Sequence, residues 1–391
     1  MASNQSLEST ANMNLQQCSR CILDATDDPA IRFDIEGVCN HCRGYEIAAA
    51  DGMYTGSEGE RRLEAIVGEI RARGKGKPHD CIMGLSGGTD STYVAYLARE
   101  LGLRPLAVHF DNGWNSELSV KNIENIVTRL GLDLFTYVIN WEEFRDLQLA
   151  YLRASVVDIE AITDHAIITT LHRLAAERGL KFILSGSNVA TEAVLPPHWI
   201  HNKMDHINIR AIHRAYGSKP LRTFPLFDFR SKRYLIDLLG IRTVPILNYV
   251  PYVKRDVKRV ITEELGWRDY GGKHYESIFT RFYQGYILPT KFGIDKRKAH
   301  LSNLICSGQM TREEALAELN APGYDPELLR ADKEFVLKKL GLSEDEFDGL
   351  MREPPRAHTD FNTEGPVYEM YPLLRPFRPL VKLARQLRHA G

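Results

Sequence analysis

The chain has 391 residues, with 50 Lys+Arg against 51 Asp+Glu, 43% hydrophobic and 26% charged. Two or three domains fit that length, and the near-zero net charge argues against a dedicated nucleic-acid binder, whose phosphate partner calls for a basic excess. No run of about 18 apolar residues occurs, so no membrane span is expected; the polar start lacks a signal peptide's apolar stretch, and the expected location is cytoplasmic.

Residues 1–15 read as a disordered leader, and residues 16–50 as a metal-stapled module. Within it, Cys18-Ser-Arg-Cys21 and Cys39-Asn-His-Cys42 set out two C-x-x-C pairs. Each pair presents two thiolates from one tight turn, and two pairs make a closed tetrahedral site. Structural Zn²⁺ suits the spacing; an iron–sulfur cluster or redox pairs are its other uses. Disulfides are not expected in a reducing compartment. Cys81 reads as core, and Cys306 stands alone.

Residues 51–78 read as a linker helix, with Leu63, Ile66, Val67 and Ile70 on one face before the break at "GKGKPHD". From 79 to 235 strand and helix patterns alternate. "CIMGL", "LRPLAVHF", "LDLFTYVI" and "KFILSG" are the strands, with helices over 91–101, 118–130, 141–155 and roughly 164–178. Such alternation predicts an α/β fold, a parallel twisted sheet with helices on both faces. Ligands of these sheets bind at the carboxyl ends of the strands. Three loops fall there: 86–90, 109–114 and 185–188.

The first of these, Ser86-Gly87-Gly88-Thr89-Asp90-Ser91, opens a helix directly after a strand. Glycines allow close backbone approach, and the helix start offers free N–H groups, so the loop is an anion cradle. A tight turn capped by Ser86 or Asp90 is the plainer reading. There is no Gly-Lys-Ser/Thr for Walker-type phosphoryl transfer and no Gly-x-Gly-x-x-Gly for a dinucleotide.

Residues 236–355 read as a mainly helical substrate or partner region, with little strand signal after Gly186. Asp158, Glu160, Asp164 and His165 precede a helix; they suit proton handling at an attacking amine, or Asp164 is an N-cap. Lys273, His274, Lys291, Lys296 and Arg297 form a cationic set near Tyr275, Phe282 and Tyr283. They suit phosphate or carboxylate binding, or are a solvated face. Residues 356–391 read as an irregular tail and a terminal basic helix, docked on its own domain or on a partner or membrane surface.

The loop resembles the S-G-G-x-D-S pyrophosphate loop (PP-loop) of ATP pyrophosphatases, whose fold is adenine nucleotide alpha-hydrolase-like. The resemblance implies that the β- and γ-phosphates of ATP sit in the cradle and leave together, with Asp90 holding Mg²⁺. It implies adenosine contacts from His109, Asp111 and Asn112, and from Gly186 and Asn188 on the other side. With the cysteine module, "DNGWNSEL" and "KFGIDKR", nearly the whole chain is similar to the N-acetyl sugar amidotransferases of surface-polysaccharide and O-antigen biosynthesis. That family implies conversion of an acetamido to an acetamidino group on a nucleotide-linked sugar, typically a UDP-linked diacetamido-uronic acid. Its ammonia comes from a separate glutaminase pair similar to the imidazole-glycerol-phosphate synthase subunits. Asp90, Asp164, Lys291 and Arg297 are then the catalytic candidates, and Trp114, Lys273, His274 and Lys296 the substrate-binding ones. The rival reading is a tRNA-modifying PP-loop enzyme, a sulfur transferase or lysidine-type ligase.

Overall fold

A computed structural model describes residues 16–272 and 275–365. The expected leader (1–15), Lys273, His274 and the terminal basic helix lie outside the described residues.

Five strands form one sheet: β1 (Cys81–Gly84), β2 (Pro105–Asp111), β3 (Asp133–Val138), β4 (Phe182–Ser185) and β5 (Arg242–Pro245). Their order is β3-β2-β1-β4-β5, with every pairing parallel. Parallel neighbours need crossovers, and helices supply them. The helices are α1 (Asn40–Gly52), α2 (Gly56–Gly74), α3 (Thr89–Glu100), α4 (Glu117–Leu130), α5 (Trp141–Ala154) and α6 (Ala161–Glu177). They continue with the short α7 (Val189–Glu192), α8 (His206–Tyr216), short α9 (Phe229–Lys232), α10 (Lys254–Leu265) and α11 (Ile278–Phe282). The last four are α12 (Lys296–Cys306), α13 (Arg312–Asn320), α14 (Pro326–Leu340) and α15 (Glu344–Arg352). Among the described residues, no helix is long and apolar enough to cross a membrane.

Side chains alternate across the sheet, as the pleat requires. Cys81 and Met83 pack with Val94, Ala98 and Ile126 on one face, while Ile82 and Val108 pack with Leu174 and Ala175 on the other. Val67 and Ile70 of α2 join the first of these layers, so this helix is part of the α/β unit rather than a linker. The boundary expected at residue 235 is also corrected, because β5 extends the sheet beyond it. That strand, "RTVP", is four residues long and half exposed, so it carries no periodic signal.

From β1 the chain moves through β2 to β3, then returns to lay β4 against the other side of β1. The order therefore reverses between β1 and β4, where an open α/β sheet forms its binding crevice. Residues 86–91 and 186–188 leave the two strands flanking that crevice. A third cluster packs the cysteine module against α5, α12 and α14. The tail is pinned as far as it is described: Arg356 N donates to Ser155 O at 2.9 Å, and Asn208 Nδ2 donates to His358 O at 3.0 Å.

Candidate active site

The loop after β1 is wound so that both of its glycine carbonyls are engaged by other groups. Gly87 sits at φ +78°, where a Cβ would approach Ser119 O to 2.9 Å, so glycine is required on both conformational and steric grounds. Its carbonyl accepts hydrogen bonds from Trp267 Nε1 and from the Tyr270 hydroxyl, each at 2.7 Å. Gly88 O accepts from Thr92 Oγ1 at 2.7 Å, and Gly88 N donates to Ser86 Oγ at 3.2 Å. With both carbonyls engaged elsewhere, the start of α3 presents N–H groups and the positive end of its dipole.

This loop walls a cavity of about 200 Å³. Gly186, Glu192, Lys254, Lys258 and Glu276 close it from the other elements. The Tyr252 hydroxyl donates to Asp90, and burial, together with that carboxylate, pushes the phenol's pKa well up. The phenol stays protonated and keeps donating.

A second cavity of about 310 Å³ shares Ser86, Ser91 and Gly186 with the first. Ile168, Leu171, Ile183 and His109 give it a largely apolar wall at the ends of β1, β2 and β4. A flat apolar body fits that slot and a polyanionic tail the loop side, which is the two-part character of ATP. Asp90, Glu192 and Glu276 supply carboxylates on the phosphate side, a donor set of hard oxygens suited to Mg²⁺.

The expected residues divide. Ser86, Gly88, Thr89, Asp90, Ser91 and Gly186 line the first cavity and His109 the second, while Gly87 shapes the loop from behind. His109 Nδ1 donates to Leu85 O at 3.2 Å, leaving Nε2 to accept from Asn115 at 3.0 Å. Asp111 and Asn112 turn inward to cap their own loop, accepting from Gly113 N and Trp114 N. Asn188 caps α7, accepting from Thr191 N at 3.0 Å.

Three expectations, Trp114 as substrate-binding and Lys291 and Asp164 as catalytic, are corrected. Trp114 is fully buried, packed among Trp141, Phe279 and Phe335, with Nε1 donating to Gln148. It is core, and no ligand reaches it. Lys291 donates to Leu350 O and Glu353 O, stapling the C-terminus of α15 away from both cavities. Asp164 pairs with Lys203 at 3.1 Å and lines neither cavity, and buried Asp158 holds the same ammonium at 2.7 Å. Lys296 and Arg297 instead line a third cavity of about 500 Å³, which meets the first at Lys254, Lys258 and Gly272.

Tyr252, Trp267, Tyr270, Glu192, Lys254, Lys258 and Glu276 were missed from sequence. Lys254 and Lys258 carry one usable signal, being a turn apart at the start of a helix whose Val257, Ile261 and Leu265 face the core. The aromatic residues of "GWRDYGG" act through Gly87, a relation that spacing does not encode.

In the N-terminal module the four Sγ atoms of Cys18, Cys21, Cys39 and Cys42 lie within 4.8 Å of one another. The Cys18–Cys42 and Cys21–Cys39 separations are 3.9 and 3.7 Å, close to the ~3.8 Å edge of a tetrahedron with ~2.3 Å zinc–sulfur bonds. Backbone N–H groups of Arg20, Cys21 and Cys39 point at Cys18 Sγ. That charge-stabilising shell fits thiolates holding a divalent ion. His41 pairs with Asp28 at 2.8 Å and is not a ligand. Cys306 Sγ lies 3.6 Å from Cys42 Sγ, so the unassigned cysteine packs beside the cluster.

Two family models match. One, for asparagine synthase, covers residues 80–188, and the other, "LPS biosynthesis protein WbpG-like, C-terminal domain", covers residues 276–375. The central segment is thus similar to asparagine synthase and the C-terminal segment to WbpG-like LPS biosynthesis proteins. The first match spans β1 to β4 with the loop between them, and the second begins at Glu276 and takes in Lys296 and Arg297. Curated relatives of this chain include tRNA(Ile)-lysidine synthases. That of Chlamydia pneumoniae is 37% identical over 70 residues, covering 17% of this chain and 22% of the relative. That of Thermus thermophilus is 29% identical over 114 residues, 29% of this chain and 21% of the relative. The chain thus spans about a fifth of the length of the curated relatives it matches. Similar solved structures include NH3-dependent NAD synthetase from Campylobacter jejuni (TM-score 0.28) and NMN synthetase from Francisella tularensis (TM-score 0.30). Each is 14% identical, covering 73% of this chain and 97% of the other.

Proposed function

We propose that the chain is an ATP-dependent C–N ligase of the amidotransferase type acting in lipopolysaccharide biosynthesis. It adenylates the acetamido oxygen of a nucleotide-linked sugar, and ammonia then displaces AMP to leave an acetamidino group. The observation that carries this is the pair of cavities sharing Ser86, Ser91 and Gly186. ATP lying across that junction has adenosine in the apolar slot and its outer phosphates against Gly88–Ser91, which leaves the α-phosphate at the shared residues.

An amide oxygen is a poor leaving group. Its attack on the α-phosphorus forms one P–O bond and breaks another, releasing pyrophosphate and giving an O-adenylated imidate. Ammonia adds to the imidate carbon and loses a proton; the C–O bond then breaks, AMP leaves, and the amidine remains. The loop's N–H groups and the ammonium groups of Lys254 and Lys258 stabilise the departing pyrophosphate. Mg²⁺, when bound at Asp90, neutralises charge on that group. Zn²⁺ in the cysteine cluster is structural. Preferred partners in this reading are a UDP-linked diacetamido-uronic acid and a separate glutaminase pair as the ammonia source.

The test is incubation with ATP, Mg²⁺, ammonium and UDP-linked acetamido sugars. AMP and pyrophosphate, with the small mass loss of replacing oxygen by NH, are expected. ADP and phosphate would overturn the reading. The similarity to tRNA(Ile)-lysidine synthases favours a second reading, tRNA modification, on the shared ATP unit alone. Tight, salt-sensitive binding of bulk tRNA is its signature.

A further inference from the structure

We propose that the third cavity is the acceptor chamber, taking the anionic nucleotide-diphosphate part of the sugar substrate while the acetamido end reaches toward the ATP cleft. This inference rests on the adenylation reading, since it asks where a second substrate sits once ATP has its place.

Three observations carry it. The adenosine slot and the phosphate cleft together account for ATP, and the chamber of about 500 Å³ is left over, joined to the cleft at Lys254, Lys258 and Gly272. A volume of that order suits a ligand far larger than ammonia. Most of the wall beyond the junction, from Gln284 to Tyr324, belongs to the WbpG-like C-terminal segment, whereas the asparagine-synthase-like segment builds nearly all of the adenosine slot and supplies the phosphate loop. The WbpG-like part of the chain is therefore the part that shapes the chamber.

The third observation is chemical. The chamber's cations are mostly matched: Lys258 with Asp269 at 2.6 Å, and Arg297 with Asp295 at 2.7 Å and with Ala321 O at 2.9 Å. Lys296 differs. Its side chain is 14% exposed, and its carboxylate partner among the described residues is Glu160, at 3.9 Å. That distance is beyond hydrogen-bond reach, and the same Glu160 oxygen already accepts from Gln284 Nε2 at 2.8 Å. The Lys296 ammonium is thus ion-paired but not hydrogen-bonded to Glu160, and an incoming phosphate oxygen can take a charge-assisted hydrogen bond from it. Tyr275 and Tyr324, with ring centroids 6.5 Å apart, add ring faces of the kind that stack on a base or sugar.

The experiment is calorimetric titration of the full chain with UDP and UDP-N-acetylglucosamine, with and without a non-hydrolysable ATP analogue. Two variants are compared with wild type. Lys296→Ala removes the ammonium, and Ala321→Trp narrows the mouth from an exposed position. Binding of both probes to wild type in the presence of the analogue is expected, with each variant weakening it at least tenfold and leaving affinity for the analogue unchanged. No binding to wild type, displacement by the analogue, or wild-type affinity in both variants would overturn the chamber assignment. Thermal melts of the variants show whether either has lost the fold. Failure of the adenylation reading shows separately, as wild type that forms no AMP; failure of the chamber alone shows as AMP formation that neither variant impairs.

Discussion

The Tyr252 hydroxyl donates a hydrogen bond to the Asp90 carboxylate, joining the segment just before α10 to the first turn of α3. One carboxylate oxygen is thereby held, which fixes the direction of the other. Asp90 is the metal-binding candidate, so Tyr252 is a positioning residue for it. Tyr252→Phe is expected to raise the Mg²⁺ concentration for half-maximal rate about tenfold, the worth of one hydrogen bond to a charged group. ATP affinity without metal should be unchanged. Asp90→Asn should abolish turnover. An unaltered Mg²⁺ dependence in Tyr252→Phe contradicts the positioning role.

Gly87 tests the cradle itself. Gly87→Ala places a Cβ at φ +78° against Ser119 O and the Tyr270 hydroxyl. A loss of about 1–2 kcal/mol in stability is expected, measured by denaturant titration, with ATP binding weakened in calorimetry. Trp267→Phe, which removes one donor to Gly87 O, should weaken ATP binding less.

The cysteine cluster predicts a single zinc per chain by elemental analysis. Because the module packs into the same core as α5, α12 and α14, chelation or Cys39→Ser should lower the melting temperature and activity together. Cys306→Ala should retain the metal, since Cys306 stands outside the tetrad. Metal loss in that variant would make Cys306 a ligand.

Acid should destabilise the chain before its carboxylates titrate. Burial holds His165 down at about 4 and His358 at about 3, against an ordinary value of 6.5. Both are neutral in the fold: His165 Nε2 accepts from Phe227 N, and His358 stacks on His201 near Lys203 and Asp205. Between about pH 6.5 and pH 4 the unfolded chain binds protons at these positions and the folded chain does not, so stability falls as pH falls. His358→Asn should flatten that part of the curve in pH-dependent unfolding. An unchanged slope would contradict the assignment.

The sheet was legible where short apolar runs end in polar loops, which is how β1 to β4 and the crevice loops were found. β5 was not legible, because four half-exposed residues carry no pattern. The phosphate loop was readable because its glycines and hydroxyls act locally. Trp114 and Lys291 misled for the opposite reason. An aromatic in a polar loop and a lysine in a basic run look available, and only tertiary packing shows one sealed in the core and the other capping carbonyls about 60 residues away. Tyr252, Trp267 and Tyr270 reach the loop from more than 150 positions along the chain.

The most direct measurement follows one oxygen atom. A UDP-linked acetamido sugar carrying a heavy oxygen isotope in its amide is turned over with ATP, Mg²⁺ and ammonium, and the AMP is examined by mass spectrometry. Adenylation of the amide predicts that the heavy oxygen leaves the sugar and appears in the AMP phosphate. Unlabelled AMP alongside amidine product, or ADP in place of AMP, would contradict it.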